Sequence, residues 1–259
     1  MMKNKDSYEA FGLDEVYTEK PINRFELKES EIKKAAIMAK NTIKKKPNSK
    51  NNFPIQSADD IQNQARQIVA SVSNIDDLKK TVEGFEKCEL KKLANNTVFS
   101  DGSKEAEIMI IGEAPGNNED LQGIPFCGDS GKLLNDMFEA IGISRDKLYI
   151  SNMVFWRPPG NRNPTNDEII ICRPFVEKHI FLKKPKLLVF VGAVATQNML
   201  NLTGSMTKAR GVFFEYNNQY LTNSIKSFPI FHPSYLMRQS SKKKIAWMDM
   251  LKIKDYLYQ

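Results

Sequence analysis

The sequence predicts an α/β fold, three layers deep, in which helices cover both faces of a mainly parallel sheet. Three observations predict it. Short, almost wholly apolar runs such as EIMII (107–111) and LLVFV (187–191) have the length of strands and no polar face. Amphipathic helical patterns alternate with them. Strands without a polar face occur where both faces are covered, the setting of parallel sheets joined by crossover helices.

Residues 1–56 stand apart. They are rich in Lys, Glu and Asn and end in NTIKKKPNSKNNFP, with Pro47 and Pro54. Such a segment cannot bury enough apolar surface to offset its ordering entropy. A flexible basic arm is expected, with a short helix over 29–44 allowed by Ile32, Ala35, Ala36, Ala39 and Ile43 on one face. The folded domain is expected over 57–259.

Within that domain the elements follow in order. Ile61, Ala65, Ile68 and Val69 recur at helical spacing, and a second helix is predicted over 75–85. The strand over 107–111 ends at Gly112. A helix over 132–141 carries Leu133, Leu134, Met137, Phe138 and Ile141 on one face and stops at Gly142. A strand is predicted over 148–155. The helix over 165–181 starts at an N-cap, Thr165, with Glu168 at capping-box spacing. The buried strand 187–191 and a helix over 193–200 come next, then a hairpin over 212–220, a short strand over 228–231, and a last helix over 243–258 with Ile245, Met248, Leu251 and Leu257 inward.

Composition narrows the function. The formal net charge of +7 favours a polyanionic partner, nucleic acid first. Three cysteines in 259 residues exclude a disulfide framework and predict a reducing compartment. No apolar run reaches the roughly 18 residues of a membrane span, and the first residues have no signal-peptide core. A cytoplasmic monomer is expected.

In parallel sheets ligands bind beyond the carboxyl ends of the strands, which directs attention to three loops. After the first strand comes GEAPGNNED (112–120), then PFCGDSGKLL. After the second come Ser151 and Asn152, then RPPGNRNPT (157–165). After the last come His232, Pro233, Ser234, Tyr235, Leu236, Met237 and Arg238, followed by Lys242, Lys243 and Lys244. Gly128 to Lys132 echoes a phosphate loop, but Phe126 stands where that motif needs glycine and Leu133 where it needs Ser or Thr. No Rossmann fingerprint follows the strand. The second histidine, His179, falls inside a helix and reads as structural.

Together these loops resemble the motifs of the family 4 uracil-DNA glycosylases, in order and spacing, over about residues 75–258. The resemblance implies a uracil-DNA glycosylase-like fold and a DNA-repair enzyme that hydrolyses the N-glycosidic bond of a flipped uracil, in single- or double-stranded DNA. It implies that uracil stacks on Phe126, that Asn152 reads its O4 and N3–H edge, and that backbone from Gly112 through Glu113 to Ala114 lines the other edge. Glu119 is expected to crowd C5 against thymine. His232 would stabilise charge developing on O2. Glu113 is the carboxylate nearest the water or the sugar cation, because Ala114 stands where better-known relatives of the superfamily have aspartate. Leu236 would fill the space the base vacates, while Ser234, Arg238 and Lys242 to Lys244 would hold phosphates. The alternative is a DNA-binding accessory protein that does not cut, or one specific for another base.

The chain departs from the family at the [4Fe–4S] cluster. Its four cysteine positions are here Phe85, Cys88, Trp156 and Cys172. Two thiolates cannot hold such a cluster in the usual way, so no cofactor is expected, and Cys88 and Cys172 are expected as buried remnants.

Overall fold

A computed structural model describes residues 56–258. The expected basic arm and its helix lie outside the described residues.

Helix α1 (Ala58–Ala70) opens on a capping box in which Ser57 and Asp60 satisfy each other's backbone N–H groups. Its core residues are Ala65 and Val69; Ile68, expected inward, is 43% exposed. Helices α2 (Ile75–Glu83) and α3 (Glu89–Leu93) lead to the two-residue edge strand β1 (Asp101–Gly102). Strand β2 (Ile108–Gly112) is followed by α4 (Asn117–Gln122), a short helix inside what the sequence presents as loop, and by α5 (Asp129–Glu139). Strand β3 (Leu148–Asn152) precedes α6 (Asn166–Lys183), which begins at the expected Thr165–Glu168 capping box. Then come β4 (Leu187–Val191), α7 (Ala193–Leu200), α8 (Met206–Ala209), β5 (Phe214–Tyr216), β6 (Ile225–Ile230), α9 (Pro233–Arg238) and α10 (Lys243–Leu257).

The sheet order is β1-β3-β2-β4-β6-β5. The four inner strands are parallel, and the two short edge strands are antiparallel to their neighbours. Side-chain alternation divides the core into two layers. Met109, Ile111, Leu188 and Phe190 face α1, α2, α6 and α7. Ile108, Ile110, Leu187, Val189 and Val191 face α5 and α10. The three-layer architecture predicted from the apolar runs is therefore present.

Three boundaries differ from the sequence reading. Strand β3 stops at Asn152, opposite Gly112 at the end of β2, although Met153 and Val154 still donate to the Gly112 and Glu113 carbonyls. The hairpin does not lie within 212–220; β5 pairs instead with Ile225 to Ser227, so β6 starts earlier than the apolar pattern suggests. Helix α10 buries Ala246, Asp249, Met250 and Ile253, while Ile245 and Met248 are exposed. The stripe is turned by one residue because Arg210 bonds the fully buried Asp249 carboxylate and draws it inward. A charge-assisted pair can occupy a core position that an unpaired acid cannot.

His179 is buried against Phe99, with ring centroids 4.4 Å apart, and its Nε2 lies 2.7 Å from the Tyr149 hydroxyl. Burial lowers its pKa to about 3. It is a core histidine, as its helical position indicated.

Candidate active site

At the carboxyl ends of β2, β3 and β6 a cavity of about 490 Å³ is lined by Glu113, Ala114, Phe126, Asn152, His232, Ser234 and Arg238, with Glu119, Gly192, Ala193 and Tyr235. The three loops singled out by their chemistry meet there.

Asn152 is the last residue of β3, and the sheet carries its side chain inward to 1% exposure. Its Oδ1 is buried without a hydrogen-bond partner. An orphaned buried acceptor costs about 1–3 kcal/mol, which a donor on a bound ligand would recover.

Phe126, 5% exposed, forms one wall. Its backbone is left-handed (φ 52°), a conformation that costs a non-glycine residue roughly 1–2 kcal/mol. Gly112 lies behind the wall and does not itself line the cavity. A Cβ there would fall 2.4 Å from Asn152 Oδ1 and 2.5 Å from Phe126 Cε2, so only glycine lets ring and amide stand side by side.

His232 caps α9, and its Nδ1 accepts from the backbone N–H of Ser234 at 3.2 Å, with the Ser234 hydroxyl 2.8 Å away. Burial, with a smaller push from Arg238, lowers its pKa to about 4. The imidazole is thus neutral at pH 7. With Nδ1 accepting, its proton belongs on Nε2, which leaves a donor. The ring stands 5.8 Å from that of Phe126, centroid to centroid. Gly192 (φ 91°) allows this approach, because a Cβ there would meet His232 Cβ at 3.1 Å. Glu113 is half-buried, and burial alone pushes its carboxyl above the usual carboxylate range.

Glu119 lines the cavity, and its carboxylate accepts from the backbone N–H groups of Gly116 (3.1 Å), Cys127 (3.1 Å) and Gly128 (2.9 Å), which ties the first loop to the next. One expected residue has another position. Leu236 is not at an apolar tip. It is 1% exposed, packed with Phe231 and Ala246, because the loop winds into α9 and turns that side chain toward α10. The exposed apolar residue of the turn is Met237, at 49%. Ser234 and Arg238 reach the cavity, whereas Lys242, Lys243 and Lys244 do not line it.

The sequence reading missed Gly192 and Arg145. Arg145 sits in a single 3-10 turn ahead of β3 and donates to the carbonyls of Pro125 (2.7 Å) and Phe126 (3.1 Å). The strand–Gly–helix junction VGA was a visible signal for Gly192; Arg145 had none.

The four cluster positions do not suit an iron–sulfur cluster. Phe85 and Trp156 are 4% and 1% exposed and belong to the core layer; Phe85 meets Phe175 edge-on at 4.9 Å, and Trp156 Nε1 donates to Thr97 Oγ1 at 2.9 Å. Cys88 and Cys172 are both buried; the neighbouring Cys88 and then burial push the Cys172 thiol up, while Cys88 is shifted down by the same pairing. Only these two of the four positions carry sulfur, and two thiolates cannot hold such a cluster in the usual way. No group of three or more metal-ligating side chains occurs among the described residues, and no helix among them is long and apolar enough to cross a membrane.

The fold is a mainly parallel α/β sheet with a polar cavity at the carboxyl ends of its strands. Comparison with known proteins specifies it: the profile of the Uracil DNA glycosylase superfamily matches residues 99–251, and the chain belongs to that superfamily. Its relatives include the type-4 uracil-DNA glycosylase of Sulfurisphaera tokodaii, 37% identical over 71% of this chain and 85% of the relative. That of Saccharolobus solfataricus is 36% identical over 72% and 88%. That of Thermotoga maritima is 35% identical over 66% and 88%. The resemblance read from the loops is borne out.

Proposed function

We propose that this protein excises uracil from DNA by hydrolysing the N-glycosidic bond of an extruded nucleotide. The observation that carries the reading is the pairing, in one cavity, of a buried acceptor without a partner (Asn152 Oδ1) and a neutral imidazole donor (His232 Nε2–H). Uracil offers a donor at N3 and acceptors at O2 and O4. Its N3–H satisfies Asn152 Oδ1 and its O4 takes the amide donor, while cytosine reverses that pattern and leaves buried groups unpaired. Phe126 stacks on the base, a contact that contributes about 1–3 kcal/mol.

Bond cleavage leaves negative charge on the base and positive charge on the sugar. His232 donates toward O2 and stabilises the departing anion. Glu113 faces the sugar cation or the attacking water as a carboxylate that burial has made more basic. Ser234 and Arg238 hold the phosphates beside the extruded nucleotide, and Lys242 to Lys244 add affinity along the strand without sequence preference. The protein does this without an iron–sulfur cluster, its place being filled by Phe85 and Trp156.

The decisive experiment incubates the purified full chain with oligonucleotides carrying uracil, hypoxanthine or xanthine, single- and double-stranded. Abasic-site formation at uracil is expected. Tight DNA binding without cleavage of any of them would show a binding protein on the same fold. Iron analysis of anaerobically purified protein is expected to give well under one atom per chain, and four would overturn the cluster-free assignment.

A further inference from the structure

We propose that Arg145 is a positioning residue that holds Phe126 in its left-handed conformation and thereby fixes the ring against which the base stacks. The inference rests on the uracil reading above and assigns a determinant of that same site.

β1 is only two residues long, and Gly102 (φ 93°) has no room for a side chain, since a Cβ would lie 2.0 Å from the Leu148 carbonyl. This tight pairing with β3 presents Asp101, whose Oδ2 receives Arg145 Nε at 2.9 Å and Nη2 at 2.7 Å. The guanidinium is thereby oriented. Its remaining donors reach the Pro125 carbonyl, the Phe126 carbonyl and, at 3.0 Å, Asn135 Oδ1 on α5. From the other side the Phe126 carbonyl is pressed against Gly131, where a Cβ would fall 1.8 Å from its oxygen.

One planar, fully charged fork therefore bonds two consecutive carbonyls, a carboxylate and an amide at once. That geometry suits guanidinium and not ammonium. A strained φ persists only where its surroundings over-determine it. Here the surroundings are Arg145 and the glycine it faces across the carbonyl. The strain has a purpose: it turns the Phe126 ring onto Gly112 beside Asn152, where it can meet a flat base.

The prediction separates positioning from mere folding. Arg145→Ala should lower the single-turnover excision rate roughly 10- to 100-fold, the range expected when a contact group is misplaced by about 1 Å. KM should rise by less than the rate falls, because the phosphate contacts are elsewhere and still hold the strand. Arg145→Lys should recover only part of the rate. The deciding measurement is a double-mutant cycle: on a Phe126→Ala background, loss of Arg145 should cost less than about threefold, since the ring it positions is gone. Equal, additive losses on both backgrounds would overturn the proposal, as would a folded Arg145→Ala protein of full activity. Should Arg145→Ala fail to fold, Asp101→Asn loosens the clamp without removing it and runs through the same cycle. A wild-type protein that leaves uracil uncut defeats the functional reading itself, whereas a wild-type protein that cuts, with additive variants, defeats only this one.

Discussion

Gly112 and Phe126 are in contact through the absence of a side chain: a Cβ on Gly112 would lie 2.5 Å from Phe126 Cε2 and 2.6 Å from Cζ. The end of β2 and the strained loop after α4 thus share one small volume. Gly112→Ala should push the ring or the Asn152 amide out of place while leaving the sheet intact. We expect uracil excision to fall at least 100-fold with an unchanged circular dichroism spectrum. Near-wild-type single-turnover rates would show that the slot is not where the base binds.

Asn152→Ala removes both halves of the reading edge. Each unpaired polar group on a buried base costs about 1–3 kcal/mol, so a loss of 100-fold or more in kcat/KM is expected. The comparison that matters is with Ser151, one residue earlier, whose hydroxyl bonds the Phe99 carbonyl at 2.7 Å and is spoken for. Ser151→Ala should affect the melting temperature more than the rate.

His232→Ala should reduce kcat by roughly 100- to 1000-fold, the usual effect of removing one donor to a developing anion. Ser234→Ala is expected to be far milder, below about tenfold. The Ser234 backbone N–H still bonds Nδ1 and keeps the proton on Nε2. If the two variants lost equal activity, the hydroxyl and not the imidazole would be the operative group.

Two histidines, His179 in the core and half-buried His232 at the cavity, contribute to the acid response of stability. The His232 pKa is lowered from 6.5 to about 4 and that of His179 to about 3, each mainly by burial. Between pH 6.5 and about 4 the unfolded chain therefore binds protons that the folded chain refuses. Stability is full above pH 6.5 and falls as pH drops through that window. The contribution of His232 is at most about 3 kcal/mol. Urea midpoints measured from pH 7 to 4 should decline less steeply in His232→Gln. Catalysis should also fall on the acid side, at a pH above the usual carboxylate range, because burial raises Glu113; Glu113→Gln should abolish that limb.

Leu236→Ala should behave as a core truncation, costing about 2–5 kcal/mol of stability, while Met237→Ala at an exposed site should cost under about 0.5 kcal/mol. Thermal melts decide this. A Leu236→Ala protein of unchanged stability that had lost activity only on duplex DNA would restore the wedge role expected from the sequence.

Much of this site was legible in one dimension. The loops after β2, β3 and β6 announced themselves by residue type, and Phe126, Asn152 and His232 do meet in one cavity. The echo of a phosphate loop at Gly128 to Lys132 has a different cause, the approach of the Phe126 carbonyl to Gly131. Other residues could not be read. That Glu119 ties two loops together was not visible, because two of its three backbone donors, Cys127 and Gly128, lie outside its own motif. Arg145 gave no sign, since its partners Phe126 and Asp101 lie 19 and 44 residues away.

The sequence by itself determined the elements and their chemistry. Alternation and helical spacing are consequences of local backbone geometry, and the residue types at strand ends set which groups can donate, accept or stack. Tertiary structure alone decided which face of α10 is buried, that Leu236 points inward, which nitrogen of His232 carries its proton, and that Phe126 is held under strain. Each of those depends on burial and on hydrogen bonds between residues distant along the chain, and such energies exist only once the layers have packed.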